Sequence, residues 1–188
     1  MAISLNPVGP ITDEELLQLA RRNPGYQFER GAKGELIVTP TGSEGGRRSM
    51  ELGYQLTGWN RGRSTGVTFD SSTGFRLPDG SVLAPDASWV RLEHWEMLTP
   101  AERKGFAPLC PDAVFEISSE SDRLVDLRMK MTAYLKNGAR LAVLIDPNRR
   151  TVEIHRRDAT PQILEDVTAV EFGPELPGFV LDLGPIFS

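Results

Sequence analysis

Cysteine and histidine are nearly missing from this sequence: Cys110 is the only thiol, and His94 and His155 are the only imidazoles, among 188 residues. One cysteine excludes an internal disulfide and a zinc cage of thiolates. Cys110 has no histidine patterned with it, which argues against a catalytic thiol, and neither histidine has a spaced partner, so both read as surface or interface residues. Long apolar runs are also lacking, since none approaches the ~20 residues that cross a bilayer. The first residues, Met1 to Pro7, lack the basic and apolar regions of a secretory signal. A cytoplasmic protein without a membrane role is the expectation. Excess positive charge is absent too. The net charge of -5 argues against a protein held on nucleic acid by its global charge, without excluding a nuclease. Arginines do pair locally, at Arg47-Arg48, Arg61 with Arg63, Arg149-Arg150 and Arg156-Arg157. Taken singly, each cluster reads as solvated surface.

What is present is ordinary for a globular chain: 39% hydrophobic and 25% charged residues, with a length that suits one domain over residues 1–188. Thr12 or Asp13 caps a helix from Glu14, which Asn23-Pro24-Gly25 ends. Tyr26–Arg30 and Glu35–Thr39 form a hairpin around Gly31–Gly34. A loop spans Pro40–Gly46, and a helix covers Arg47–Asn60. Short strands follow at Gly66–Phe69, Gly74–Leu77 and Ala84–Val90, the last two separated by the turn residues Pro78-Asp79-Gly80. Residues 91–110 form a polar insertion with a short helix after Thr99-Pro100. Ala113–Ile117 is a strand. Ser121-Asp122 caps a helix carrying Leu124, Leu127, Met131 and Leu135, and Asn137-Gly138 closes it. Leu141–Ile145 is continuously apolar, as in a strand buried on both faces, and Thr151–His155 alternates like an outer hairpin strand. The order defines an α/β fold with a central mixed sheet flanked by helices.

The chemistry gathers around three side chains. A strand over 113–117 puts Val114 and Glu116 on one face, Phe115 and Ile117 on the other. A carboxylate inside so apolar a strand is costly unless paired or metal-bound. Asp86 starts its strand after Pro85, a place for an acid in a cleft, though Pro-Asp is equally turn chemistry. Asp112, after Pro111, reads as a turn residue. Two carboxylates, a main-chain carbonyl and waters make the oxygen shell that Mg2+ prefers. Lys130, on the helix after the Glu116 strand, is the candidate partner. From spacing alone, an i,i+4 surface pair with Asp126 is the simpler reading of it. Ser118, Ser119 and Ser121 lack a nucleophile elbow, and the Gly42–Gly46 loop lacks the ending of a phosphate loop.

These residues carry a family resemblance. The strings TPTGSEGGRR (39–48), SSTGF (71–75), LPDG (77–80), PDASWV (85–90), CPD (110–112), NGA (137–139), LIDP (144–147) and LPGFVLDL (176–183) together resemble the Uma-type family. This is a bacterial, notably cyanobacterial, group assigned as endonucleases with the restriction-endonuclease-like PD-(D/E)xK fold. Each string is weak alone; their order and spacing are specific. The resemblance implies Mg2+-dependent hydrolysis of DNA, with Mn2+ as a substitute. It maps the metal-binding acids onto Asp86 and Glu116, with the Ile117 carbonyl beside them. It matches a further acid to Glu44, with Glu51 as the alternative. The motif's lysine position is occupied by Ser118, and Lys130 matches a lysine that the family draws from the adjacent helix.

Two functions follow. One is an active DNA endonuclease, a homodimer because a duplex has two strands to cut, with Arg47 and Arg48 meeting the phosphate backbone. The other is a catalytically inactive nuclease-fold module that binds nucleic acid or a protein partner, favoured by the acidic net charge and by Ser118.

Overall fold

The computed structural model describes residues 3–7 and 9–188. Met1, Ala2 and Val8 lie outside the described residues, and with the first two goes part of the stretch read above as lacking a signal pattern. Strand β1 (Ile3–Leu5) precedes helix α1 (Asp13–Arg22). Thr12 and Glu15 form a reciprocal capping box at its start, satisfying amide groups that the first turn leaves free. Strands β2 (Tyr26–Arg30) and β3 (Leu36–Pro40) make the expected hairpin. Helix α2 (Ser43–Arg61) begins four residues before the expected Arg47, so Gly45 and Gly46 are helical rather than loop. The low helix propensity of two glycines is overridden by packing of the same helix through Leu52, Leu56 and Trp59.

Strands β4 (Gly66–Asp70), β5 (Phe75–Arg76), β6 (Val82–Leu83) and β7 (Ala87–Arg91) follow. The strand expected over Ala84–Val90 begins only at Ala87, and β6, just before it, belongs to the other sheet. Pro85 explains the break, since it has no N–H to give a ladder, and the chain changes sheet beside it. The insertion holds α3 (Leu92–Glu96) and a 3-10 turn (Glu102–Lys104), where Thr99 and Glu102 cap each other. Next come β8 (Ala113–Ile117), α4 (Leu124–Asn137), β9 (Leu141–Asp146) and β10 (Thr151–Arg156). Helix α4 starts two residues beyond the expected cap. Asp122 instead accepts from the Ser119 backbone and hydroxyl, closing its own local turn. Strands β11 (Gln162–Glu165), β12 (Ala169–Phe172), β13 (Leu176–Asp182) and helix α5 (Gly184–Phe187) complete the chain.

The central sheet runs β11-β10-β9-β8-β7-β4 and is mixed: β8 and β9 are parallel, the other neighbours antiparallel. A parallel pair needs a crossover, and α4 is that crossover. One face, through Trp89, Phe115 and Val143, packs on α2 and on Phe172 and Phe179 of the β12–β13 hairpin. The other, through Val90, Val114, Ala142 and Leu144, packs on Met131 and Tyr134 of α4 and on Phe75 and Leu83. A second sheet, β1-β3-β2-β6-β5, is antiparallel throughout and holds Leu36 and Val82 against Leu16 of α1. Strand β10 is not an outer strand. It pairs with both β9 and β11, and Glu153 and His155 are buried. Among the described residues, no helix is long and apolar enough to cross a membrane.

Candidate active site

Glu116 points from β8 into the α4 face of the central sheet, as its parity with Val114 requires. Helix α4 crosses that face and presents Lys130 and, one turn later, Tyr134. Lys130 Nζ lies 2.7 Å from Glu116 Oε1, and the Tyr134 hydroxyl donates to the same oxygen at 2.9 Å. Among the described residues, Oε2 of Glu116 receives no hydrogen bond, which leaves it open to another ligand. Asp86 stands at the entry to β7. Ala87 pairs with Phe115, so the continued antiparallel register sets Asp86 beside Glu116. Its Oδ2 accepts the Ile117 N–H at 2.8 Å, and its Oδ1 accepts the Ser49 hydroxyl of α2 at 3.0 Å. A strand residue sends N–H and C=O to the same side, so the Ile117 carbonyl also faces the β7 side. Three elements thus meet: the chain end of β7, strand β8 and its crossover helix.

A third carboxylate joins them. Glu29 of β2, buried at 5% exposure, accepts from Lys130 Nζ at 2.9 Å and from the Ala84 N–H at 2.7 Å. Three carboxylates therefore face one ammonium. Burial raises the Glu116 carboxyl to about 8 against the pull of Lys130, with Asp86 and Glu29 adding to the rise. Burial also raises Asp86, opposed by the Ile117 amide and Lys130. Burial alone would lower Lys130, but Glu116 and Glu29 outweigh it and hold the ammonium protonated. The Tyr134 phenol is pushed well up by burial and by Glu116, so it stays a donor.

The structure brings Asp86, Glu116, Ile117 and Lys130 together. Asp126 does not hold Lys130: it sits on the exposed side, nearest Arg123. Glu44 is not brought to the cluster. Its side chain is 56% exposed and pairs with Arg47 and Arg48 at the start of α2, because it lies about 140° around the helix from Ser49, which faces Asp86. Glu51 accepts from Gln55, which in turn holds Asp182. Arg47 is engaged with Glu44 and with the carbonyls of Pro185 and Ser188, which ties α2 to the C-terminal turn. Arg48 is half-buried beside Glu44. His155 is buried rather than at the surface, its Nε2 3.2 Å from Glu153, which Arg128 of α4 also grips. Asp112 is more than a turn residue: buried, it accepts from the Arg91 amide and lies 3.0 Å from His94 Nδ1. Cys110 is inert, its thiol pushed up to about 12 by burial. Sequence reasoning missed Glu29 and Ser49, which meet the site across long stretches of chain, and Tyr134, one turn beyond Lys130 on α4.

The donor chemistry fits Mg2+. Excess buried negative charge is costly without a cation, Glu116 Oε2 and the Ile117 carbonyl are hard oxygen donors, and Asp86 lies alongside. Among the described residues, no group of three His, Cys, Asp or Glu is placed to hold a metal. A shell here would be two carboxylates completed by backbone and water, which suits an ion that keeps several waters. Ser118, at the usual lysine position, is buried with its hydroxyl unpartnered.

The mixed sheet, its crossover helix and this acid–lysine cluster define a restriction-endonuclease-like fold. A crystal structure from Anabaena variabilis, of a "putative nuclease belonging to DUF820", superposes with a TM-score of 0.73 and 20% identity, covering 95% of this chain and 98% of that one. The family model Uma2, described as "Putative restriction endonuclease", matches residues 13–184, and the chain belongs to that family. The cryo-EM structure of the DrdV–DNA complex aligns at a TM-score of 0.40 and 16% identity, over 61% of this chain and 9% of that one; so loose a likeness carries no argument. No curated protein matches the chain.

Proposed function

We propose that the protein is a divalent-metal-dependent endonuclease that hydrolyses DNA phosphodiester bonds. The observation that carries this reading is the buried contact of Lys130 Nζ with Glu116 Oε1 at 2.7 Å, in a site where Ser118 has replaced the expected lysine. The ammonium that the motif loses on the strand is supplied by the crossover helix. Asp86 and Glu116, with the Ile117 carbonyl, would hold Mg2+, or Mn2+ in its place. The bound ion would polarise the scissile phosphate and acidify a water. Lys130 has three donors, two of them committed to Glu116 and Glu29, and the third is free to orient the attacking water or meet the developing phosphorane charge. Tyr134 and Ser49 fix the two acids by hydrogen bonds on Glu116 Oε1 and Asp86 Oδ1. Membership in Uma2 supports DNA as the substrate, and a homodimer would supply one site per strand of a duplex.

The alternative, an inactive nuclease-fold module that binds nucleic acid or a protein, rests on Ser118. Plasmid cleavage with Mg2+ and with Mn2+ separates the two. The endonuclease reading expects nicking or cutting by the natural chain and none by Lys130→Met. No cleavage by the natural chain alongside retained DNA binding supports the alternative, and equal cleavage by both chains removes Lys130 from the mechanism.

A further inference from the structure

We propose that Glu29 is a positioning residue of this site, acting through Lys130 and through the segment that delivers Asp86. This rests on the endonuclease reading of the same site. Glu29 lies on β2, in the smaller sheet, far in sequence from each of the motif residues. Its Oε1 accepts from Lys130 Nζ at 2.9 Å and from the Ala84 N–H at 2.7 Å. Gln27, two residues earlier and so on the same face of β2, donates from Nε2 to the Ala84 carbonyl at 3.0 Å and to the Ser71 carbonyl at 2.8 Å. Both polar groups of Ala84 are thus held by β2 side chains. Here β6 leaves the smaller sheet, having paired with β2 only at Arg30–Val82. Two residues further on, Asp86 meets β8. Side-chain bonds from Gln27 and Glu29 replace the backbone ladder across the change of sheet.

The same carboxylate shares the lysine. With Glu116 alone as partner, Lys130 would close a simple ion pair and compete with a cation for Glu116. Held from the opposite side by Glu29, the ammonium keeps a fixed position between two acids. Among the described residues, Glu29 bonds to Lys130 and Ala84 and not to Glu116 or Asp86, so its effect is indirect.

The test uses Glu29→Gln, which keeps an acceptor of the same shape but removes the charge, and Glu29→Asp, which restores charge one methylene back. In the metal-free protein, the Lys130 ammonium is followed by 15N-detected NMR, with Lys130→Met to assign it. Turnover is followed on plasmid DNA with saturating Mn2+. The proposal expects a protected ammonium resonance in the natural chain that is lost or displaced in Glu29→Gln. It expects kcat lower by about tenfold with KM unchanged, and partial recovery in Glu29→Asp. An unshifted ammonium in Glu29→Gln, or an unchanged kcat in that variant, overturns it. If Glu29→Gln fails to fold, Glu29→Asp decides by the same two readouts. If the natural chain cuts no DNA, the endonuclease reading fails while the ammonium resonance still decides whether Glu29 positions the lysine.

Discussion

Lys130 shows how far a residue's role can depend on partners that spacing does not reveal. Its four-residue separation from Asp126 reads as a surface pair, yet Asp126 is exposed and Lys130 reaches inward to Glu116 and Glu29. Glu116 was legible because a carboxylate in the middle of Ala-Val-Phe-Glu-Ile needs an explanation. Glu29 was not, because Tyr-Gln-Phe-Glu-Arg reads as an ordinary hairpin strand, in which a lone acid needs no explanation. Glu116 also sets a pH dependence. Its folded-state value, about 8, lies above the ordinary 4.5, so the proton favours folding. That contribution is full below about pH 4.5 and fades as pH rises through about 8. The metal-free protein is therefore expected to lose stability over this window, seen as a falling Tm. Cation binding must displace the same proton, so Mg2+ affinity should rise with pH and level off above about 8. A flat affinity from pH 6 to 9 would contradict the assignment of Glu116 as a ligand.

At the scale of elements, the site depends on how α4 begins and ends. The sequence pattern located its apolar stripe and its closing glycine, but the start lies at Leu124, beyond Ser121-Asp122, since Asp122 is used in a local turn. Gly138 adopts φ 121° as the helix closes, a conformation that side chains resist. A Cβ there would meet only Cys110 Cβ at 3.9 Å, so strain rather than crowding is the cost. Gly138→Ala should lower stability by about 1 kcal/mol or more, read by urea denaturation. Tyr134→Phe removes one donor to a buried carboxylate and should cost about 1–3 kcal/mol. At the other end of the chain's logic, the split between β6 and β7 was hidden because Pro85 marks an interruption without saying that the strands on its two sides join different sheets.

For the whole molecule, the order of elements was enough to give a central mixed sheet with flanking helices, because buried runs such as Leu141–Ile145 and the 3.6-residue stripe of α4 record their own surroundings. The smaller sheet's part in the site was not legible, since the contact between β2 and α4 spans about half the chain and leaves no local periodicity. The place of β10 was misread for a related reason. Its alternation reflects the buried pair Glu153 and His155, gripped from the surface by Arg128, rather than a solvent face. Because a cation would bind only the folded cluster, it should stabilise the entire chain. At a concentration of 100 times its Kd, Mg2+ is expected to add about 2.7 kcal/mol to unfolding, raising the Tm of the natural chain and leaving that of Asp86→Ala unchanged.

The most direct test of the account is a calorimetric titration of Mn2+ into the natural chain, Asp86→Ala and Glu116→Ala, each checked for folding by circular dichroism. One saturable site in the natural chain is predicted. In each variant, affinity should fall by more than the about 10–100-fold that supporting partners of a metal site contribute. A natural chain that binds no cation at millimolar concentration, or variants that bind as well as it does, would contradict the assignment of Asp86 and Glu116 as the metal-holding acids.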